Sequence, residues 1–479
     1  MRVAFIVDAL HHREIFSIPI LSAILKQAGH DVSLIEFIKV NHIQHMFTDG
    51  TPEIIAYSLM SCELETYRKI NTILKQHYDF FSVFGGPHPT FSSDFCSEPF
   101  VDAICKGEGD DAFPEFLSHF PKESMYSVSN FHFKKENGRT VIENPLRNLV
   151  CNLDALPFPD RKIIFDKNPF LAKMPIKSFM TSRGCPFHCT YCFNHAYNKM
   201  YHKKGKIVRI KSVDYLIEEI QQIRKAYPMQ FIKFHDDIFG LNKDWLETFV
   251  KKYRKEIGLP FGAYSRANLI SKDYVKLMKS AGCVTIVMAI ESGDEHIRNT
   301  VLKRNMSDNQ IIKAAQLINA EGIHLYTLNM IGLPGETEKE MYKTIQINQK
   351  IKPELAESNL FKLYEGLEIT DYSLKYGYAY SDFNKRMNLD DLSNLSLSEQ
   401  EKKKLSVLNE LFVFISCYPR LAFLLKLTNI LYPFRGLIKI IRSFFTSYKI
   451  IYKIYPTPIP FSVIVDGVIH LLKRKNNQL

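Results

Sequence analysis

Absences bound this 479-residue chain before any motif does. No run of uncharged apolar residues reaches the ~20 that cross a bilayer as a helix, so no transmembrane helix is expected. The opening Met1-Arg2-Val3-Ala4-Phe5-Ile6-Val7-Asp8 is too short and too soon charged for a signal sequence, and reads as a first strand. Nine cysteines, an odd number with no signal sequence ahead of them, do not make a secreted disulfide framework and fit a reducing cytoplasm. Acidic residues are scarce at one end only. From Glu401 to Leu479 there are 13 Lys and Arg against 3 Asp and Glu, so +10 of the net +11 sits there. The rest of the chain is close to neutral, which excludes a general nucleic-acid-binding surface on the body of the protein.

What remains is length for two or three domains with sizeable cores. The pattern predicts an α/β protein in four parts: a doubly wound, Rossmann-like parallel sheet over 1–125, a linker over 126–172, a partial (β/α)6 TIM-type barrel over 173–390, and a basic helical segment over 391–479. In the first part, short apolar runs at Val3–Val7, Val32–Phe37, Ile54–Leu59, Phe80–Phe84 and Val101–Ile104 alternate with helical patterns. The linker is rich in proline and carries a hairpin signal at Glu136-Asn137-Gly138. Alternation resumes with six strands from Lys177–Thr181 to Glu357–Leu363, and the reactive face of such a barrel lies at the carboxyl ends of its strands.

Directly after the first of those strands comes Ser182-Arg183-Gly184-Cys185-Pro186-Phe187-His188-Cys189-Thr190-Tyr191-Cys192-Phe193. Three cysteines at C-x3-C-x2-C on a Gly/Pro turn can bring three thiolates onto one soft metal centre and leave a coordination position open, as a substrate-activating iron–sulfur cluster requires. A zinc site is the alternative; it wants a fourth Cys or His, for which His188 and His195 are available. Three unrelated core thiols are the other. Cys62, Cys96, Cys105, Cys151, Cys283 and Cys417 show no ligand spacing and read as packing residues.

The C-x3-C-x-aromatic-C segment, with Tyr191 as the aromatic, resembles the cluster loop of the radical S-adenosylmethionine (SAM) enzymes. The resemblance implies that Cys185, Cys189 and Cys192 hold a [4Fe-4S] cluster whose fourth iron is chelated by SAM, and that cleavage of SAM yields a 5′-deoxyadenosyl radical. An electron donor such as flavodoxin or ferredoxin is then needed. Phe84-Gly85-Gly86-Pro87-His88, Lys106-Gly107-Glu108-Gly109-Asp110 and Pro157-Phe158-Pro159-Asp160-Arg161 resemble stretches of the members that carry an N-terminal cobalamin-binding domain. By that resemblance Ser58, Gly85 and Gly86 lie against the corrinoid's nucleotide tail, and Gly107 and Glu108 belong to the same edge. The D-x-H-x-x-G pattern that supplies a lower histidine ligand is missing. Asp8-Ala9-Leu10-His11-His12-Arg13 lacks its spacing and its glycine, so a cobalamin here would have no histidine from that motif, and His11 and His12 read as loop residues.

Polar groups recur at the later strand ends: Asp236 and Asp237, Arg266, Glu291-Ser292-Gly293 and Ile331-Gly332-Leu333-Pro334-Gly335-Glu336. A zwitterionic, ribose-bearing ligand needs carboxylates, a cation and close-approach glycines of this kind. The resemblance places Gly332, Pro334 and Gly335 on the adenine side, Glu291 and Ser292 on the sugar or amino-acid side, and Arg266 against a carboxylate. Asp236 has either a ligand or a helix-capping role. The expected activity is radical attack on an unactivated carbon, with cobalamin-dependent methylation as the leading outcome. Cyclisation, oxidation or rearrangement without methyl transfer, and a cluster- or corrinoid-binding sensor without chemistry, are the alternatives. Between Phe434 and Lys453, cations at helical spacing read either as a cap packing its apolar face on the barrel or as a helix on an anionic membrane, in which case the small-molecule substrate is lipid-like.

Overall fold

The apolar runs Arg2–Val7 and Ile54–Ser58 are buried almost without interruption, as strands covered on both faces must be. They belong to a computed structural model that describes every residue except 9–13, 38–45, 48–49, 93, 136–139, 384–391, 393, 461, 464 and 466–479. His11, His12 and the tip of the Glu136-Asn137-Gly138 hairpin lie outside the described residues. The chain forms two units. One comprises Met1–Met174, Tyr197–Arg209 and Pro460–Leu479, the other Pro175–Ala196 and Ile210–Ile459.

In the first unit a seven-stranded sheet has the order 2-1-3-4-5-6-7. Strands Arg2–Val7, Asp31–Glu36, Ile54–Ser58, Phe81–Gly85 and Ala103–Cys105 are parallel. Phe131–Lys134 and Val141–Glu143 then pair antiparallel, so part of the stretch read as an irregular linker extends the sheet. The order reverses between the first and third strands, and ligands of doubly wound sheets bind outside the strand ends at that point. Ile55, Tyr57, Phe84, Leu74 and Phe100 fill the core beside it. The proline-rich exit segment is held to the same unit: Asp160 accepts from Ser22 and Lys26 (both 2.7 Å), and Arg161 pairs with Glu14.

The second unit is built on six parallel strands, Ile176–Phe179, Phe231–Phe234, Phe261–Ser265, Cys283–Glu291, His324–Ile331 and Leu355–Leu360, each beside its sequence neighbour. Five of the helices between them start on a capping side chain: Ser212, Asn242, Ser271, Ser307 and Thr337. Each such cap stabilises its helix by about 1 kcal/mol and fixes where the strand-to-helix loop ends. Glu399–Cys417 packs Leu405, Leu408, Leu411, Phe412 and Ile415 into a core shared with Ile331, Leu333 and Phe361.

The C-terminal end departs from the expected cap in the way its helix is turned. The helical stretch Pro419–Ile454 is, by length and composition only, long and apolar enough to cross a membrane, because its most apolar window tolerates two charges that a search for uncharged runs does not. Arg435–Lys449 packs Ile438 and Phe445 inward, but it does not solvate all its cations. Arg435 and Arg442 pair with buried Glu410, and Lys449 with Glu354, while Leu437, Ile441 and Phe444 are exposed. Of the six cysteines read as packing residues, Cys96, Cys105 and Cys283 are buried, Cys62 and Cys417 are half-buried, and Cys151 is exposed.

Candidate active site

The first barrel strand hands the chain to the cysteine loop through a polar clamp. Asp236, past the end of the second barrel strand, accepts from the Thr181 backbone N–H (3.0 and 3.1 Å), the Thr181 hydroxyl (2.7 Å) and the Ser182 hydroxyl. Burial raises its pKa, and these donors oppose the rise. It therefore ties two strand exits together, and the cap of the helix that follows falls to Asn242. The loop itself is pinned at Thr190, whose N–H and hydroxyl donate to Leu302 and Val301 carbonyls (3.2 and 2.7 Å) and whose carbonyl accepts from the Ile369 N–H (3.1 Å).

Cys189 is buried and accepts from Arg266 Nη1 at 3.4 Å. Burial pushes Cys185 up to about 11 and Cys192 up to about 12, and the neighbouring thiols and Asp237 add to the rise. The three thiols thus share one small region of one loop. Among the described residues, no three His, Cys, Asp or Glu side chains stand at metal-ligating distances, these three included. Protonated thiols gain nothing by converging, whereas thiolates on a shared cation do. The donor set fits an iron–sulfur cluster: three soft sulfurs on one loop, one of them in contact with the Arg266 guanidinium. A zinc site is less well served. His195 Nε2 meets Glu368 (2.9 Å) and its Nδ1 meets His188 (3.3 Å), so the histidines are committed to each other and to a carboxylate.

Arg266 is not free for a ligand carboxylate. Besides Cys189 it donates to Asn268 (2.9 Å) and to the Arg304 carbonyl, and it stacks 4.0 Å over the Phe187 ring. Glu291 ends the fourth barrel strand with φ +69°, in the left-handed region, where the pairing with the next strand also slips register. Such backbone costs about 1–3 kcal/mol and marks functional turns. Its carboxylate accepts from Tyr191 OH at 3.0 Å. Ser292 is fully buried, and its hydroxyl accepts from the Asp294 N–H (3.2 Å). Gly293 is required, since a Cβ there would meet the Lys343 carbonyl at 2.3 Å.

Sequence reasoning missed Arg304. Buried, it donates to Tyr191 OH and to the Ala289 carbonyl (2.6 Å) and lies 3.7 Å from Glu291. Burial works against its charge, but Tyr191 and Glu291 outweigh burial and raise its pKa. Tyr191, Glu291, Arg304, Arg266 and Cys189 form one linked polar cluster. It comes from the cysteine loop, the third and fourth strand ends and the segment after Ile297–Val301.

At the fifth strand end Gly332 and Gly335 have φ of +79° and +78°, and Pro334 is buried between them. The Glu336 carboxylate accepts from the Gly332 and Leu333 N–H groups (2.7 and 3.0 Å), and burial pushes it up to about 8. A carboxyl raised on folding contributes stability fully present below its unfolded value and lost as pH rises through the folded one. The wild type should therefore lose Tm relative to E336Q between pH 6 and pH 9. Thermal melts of both proteins across that window check this, and parallel curves would refute it.

In the first unit, Ser58 and Gly85 are register partners at adjacent strand ends, and the Ser58 hydroxyl meets Ser17 (3.2 Å). Gly86 has φ +99°, and a Cβ there would meet the Leu59 N at 2.8 Å, whereas a Cβ on Gly85 would have its nearest neighbour at 3.8 Å. Of the pair, only Gly86 is held to glycine by its backbone and its neighbours. Gly107 abuts the Tyr201 hydroxyl, and Glu108 takes a bidentate pair from Arg209 (2.7 and 2.8 Å). Those two residues serve the fold of the unit.

The chain matches the Radical SAM superfamily model over residues 179–347 and the B12 binding domain model over 14–117. It is 28% identical to an uncharacterised methyltransferase of Pyrococcus horikoshii over 83% of this chain and 86% of that one. It is 22% identical to an anaerobic magnesium-protoporphyrin IX monomethyl ester cyclase of Rubrivivax gelatinosus, over 75% and 68%. Among solved structures, a radical SAM methyltransferase, TsrM, from Kitasatospora setae superposes with TM-score 0.63 at 13% identity, over 78% of this chain and 76% of that one. The cobalamin-dependent radical enzyme OxsB superposes with TM-score 0.60 at 19% identity, over 81% and 56%. At these identities the superpositions speak for the fold. The cysteine loop at the barrel's strand ends, the doubly wound unit and the two family models converge: the chain belongs to the radical SAM superfamily, as an enzyme with an N-terminal B12 binding domain whose cofactors are a [4Fe-4S] cluster, SAM and cobalamin.

Proposed function

We propose that this enzyme methylates an unactivated carbon of a small, lipid-like molecule. Cys185, Cys189 and Cys192 are the cluster ligands in this reading. Tyr191, Glu291, Ser292, Gly332, Pro334 and Gly335 line the SAM side, and Ser58, Gly85 and Gly86 lie along the corrinoid's tail. When bound, the cofactors supply one-electron cleavage of SAM to a 5′-deoxyadenosyl radical together with a transferable methyl group. The chain's own residues do the rest. Asp236 and Thr190 fix the loop that carries the sulfurs, Arg266 holds charge against Cys189, and Arg304 orients Tyr191 and Glu291. A flavodoxin or ferredoxin delivers the electron, and the work is done in the cytoplasm with the C-terminal segment in contact with a membrane.

The observation that carries this reading is the polar cluster joining the cysteine loop to the next strand ends, which a passive sensor would not need. Methyltransferase names among the relatives favour methyl transfer. The cyclase relatives support the second reading, radical oxidation or cyclisation without methylation. Anaerobic purification, cluster reconstitution and incubation with SAM and reduced flavodoxin test it. Production of 5′-deoxyadenosine with S-adenosylhomocysteine is expected. The first product without the second would select the alternative, and neither product would end both.

A further inference from the structure

The helix Arg435–Lys449 is amphipathic the wrong way round for a cap on a soluble body. Phe434, Leu437, Ile441, Phe444 and Tyr448 recur at steps of three and four and so share one face. All five are at least half exposed, Phe444 to 74%. Arg435, Arg442 and Lys449 recur every seventh residue on the opposite face. Those cations point inward: Arg442 Nε lies 3.1 Å from Glu410, Arg435 Nε 3.8 Å from the same buried carboxylate, and Lys449 Nζ 2.6 Å from Glu354. Phe445 packs against Phe414 between them. Charge therefore fastens the helix to its own unit and leaves the apolar stripe outside. The exposure continues on both sides, at Phe423, Ile430 and Tyr452. An exposed apolar patch of this extent marks a contact surface.

We infer that this face docks on an anionic lipid surface, with the helix lying along the bilayer and its apolar side chains inserted at the headgroup boundary. Charge selects the occupant. Arg420, Lys426, Lys439 and Lys453 flank the stripe and are exposed, and the whole terminal segment carries +10. A second copy of the chain would bring two such segments together, whereas anionic headgroups complement them, each exposed cation adding attraction. The ion pairs to Glu410 and Glu354 favour lying flat over spanning, because a spanning helix would have to break them and carry Arg435, Arg442 and Lys449 into hydrocarbon. Since apolar insertion drives the binding, its salt dependence is partial. The inference deepens the membrane contact proposed above and does not depend on the radical chemistry.

The test is co-sedimentation of the full-length protein with phosphatidylcholine–phosphatidylglycerol vesicles and with phosphatidylcholine alone, at low and high salt. The variant changes Leu437→Ser, Ile441→Ser and Phe444→Ser together. The wild type should bind the mixed vesicles, lose only part of that binding at high salt, and bind pure phosphatidylcholine more weakly. The triple variant should bind at least about tenfold less while producing 5′-deoxyadenosine at the wild-type rate, so that failure here leaves the catalytic reading standing. No binding at low salt overturns the inference, as does a variant that binds like the wild type. A wild-type dimer that the variant splits, seen by light scattering, would give the face to a second copy, and resistance to carbonate extraction would make the segment a membrane span; either result also overturns it.

Discussion

Alanine in place of Cys192 is expected to reduce cluster-bound iron and sulfide to background and to cut 5′-deoxyadenosine production by more than about 100-fold. The bound comes from comparison: disturbing a partner behind a metal ligand costs about 10–100-fold in affinity or activity, and removing the ligand itself costs more. Neither histidine near the loop stands ready to replace the sulfur. His195 is engaged by Glu368 and by His188. The fold has little stake in the thiol. Cys192 is half-buried, and its backbone bonds, its N–H to the Cys189 carbonyl and its carbonyl from the His195 N–H (both 3.1 Å), survive the change. The thermal transition of the metal-free variant should therefore match that of the metal-free wild type. Cys151→Ala, exposed and remote in sequence from the loop, is the control and should retain full iron content. An iron-loaded, active C192A protein would remove the basis for assigning the cluster to this loop.

The parts of this site legible in the sequence are those encoded locally. The three cysteines declare themselves by spacing, and the strands by apolar runs that must be continuous because helices cover both faces. Helix starts are announced by Ser212, Asn242, Ser271, Ser307 and Thr337. What was not legible depends on partners distant in sequence. Arg304 follows a π-helical turn, Ile297–Val301, with no periodic signal, and only folding brings it to Tyr191, 113 residues earlier. Arg266 looks like a ligand's carboxylate partner at a strand end until Cys189, 77 residues away, is found under it. Asp236 could be a cap or a ligand until Thr181 claims both its oxygens. The C-terminal helix makes the same point about orientation. Periodicity reveals two faces, but which one turns outward is decided by Glu410 and Glu354, on other elements.

Arg304→Met is expected to destabilise the protein by about 3–5 kcal/mol, the usual cost of leaving a buried charge without its partner. The substitution removes three things at once: the donor to Tyr191 OH, the donor to the Ala289 carbonyl, and the cation beside Glu291. Glu291 is then the liability. Burial already raises its pKa, with Arg304 and the Tyr191 hydrogen bond opposing the rise, so losing the arginine lifts it further. A carboxyl whose pKa is raised in the folded state supports folding while protonated and ceases to as pH climbs through that value. The loss of Tm in R304M should accordingly be smaller at pH 5.5 than at pH 8. Adding Glu291→Gln supplies a neutral side chain that still accepts from Tyr191, so the double variant should recover part of the stability and lose the extra pH dependence. A double-mutant cycle then gives a coupling energy of at least about 1 kcal/mol, within the range for residues in one polar network. Denaturant melts of the four proteins at both pH values check it. Additive effects, or a pH-independent loss in R304M, would show that Arg304 acts as packing alone and that Glu291 needs no cation.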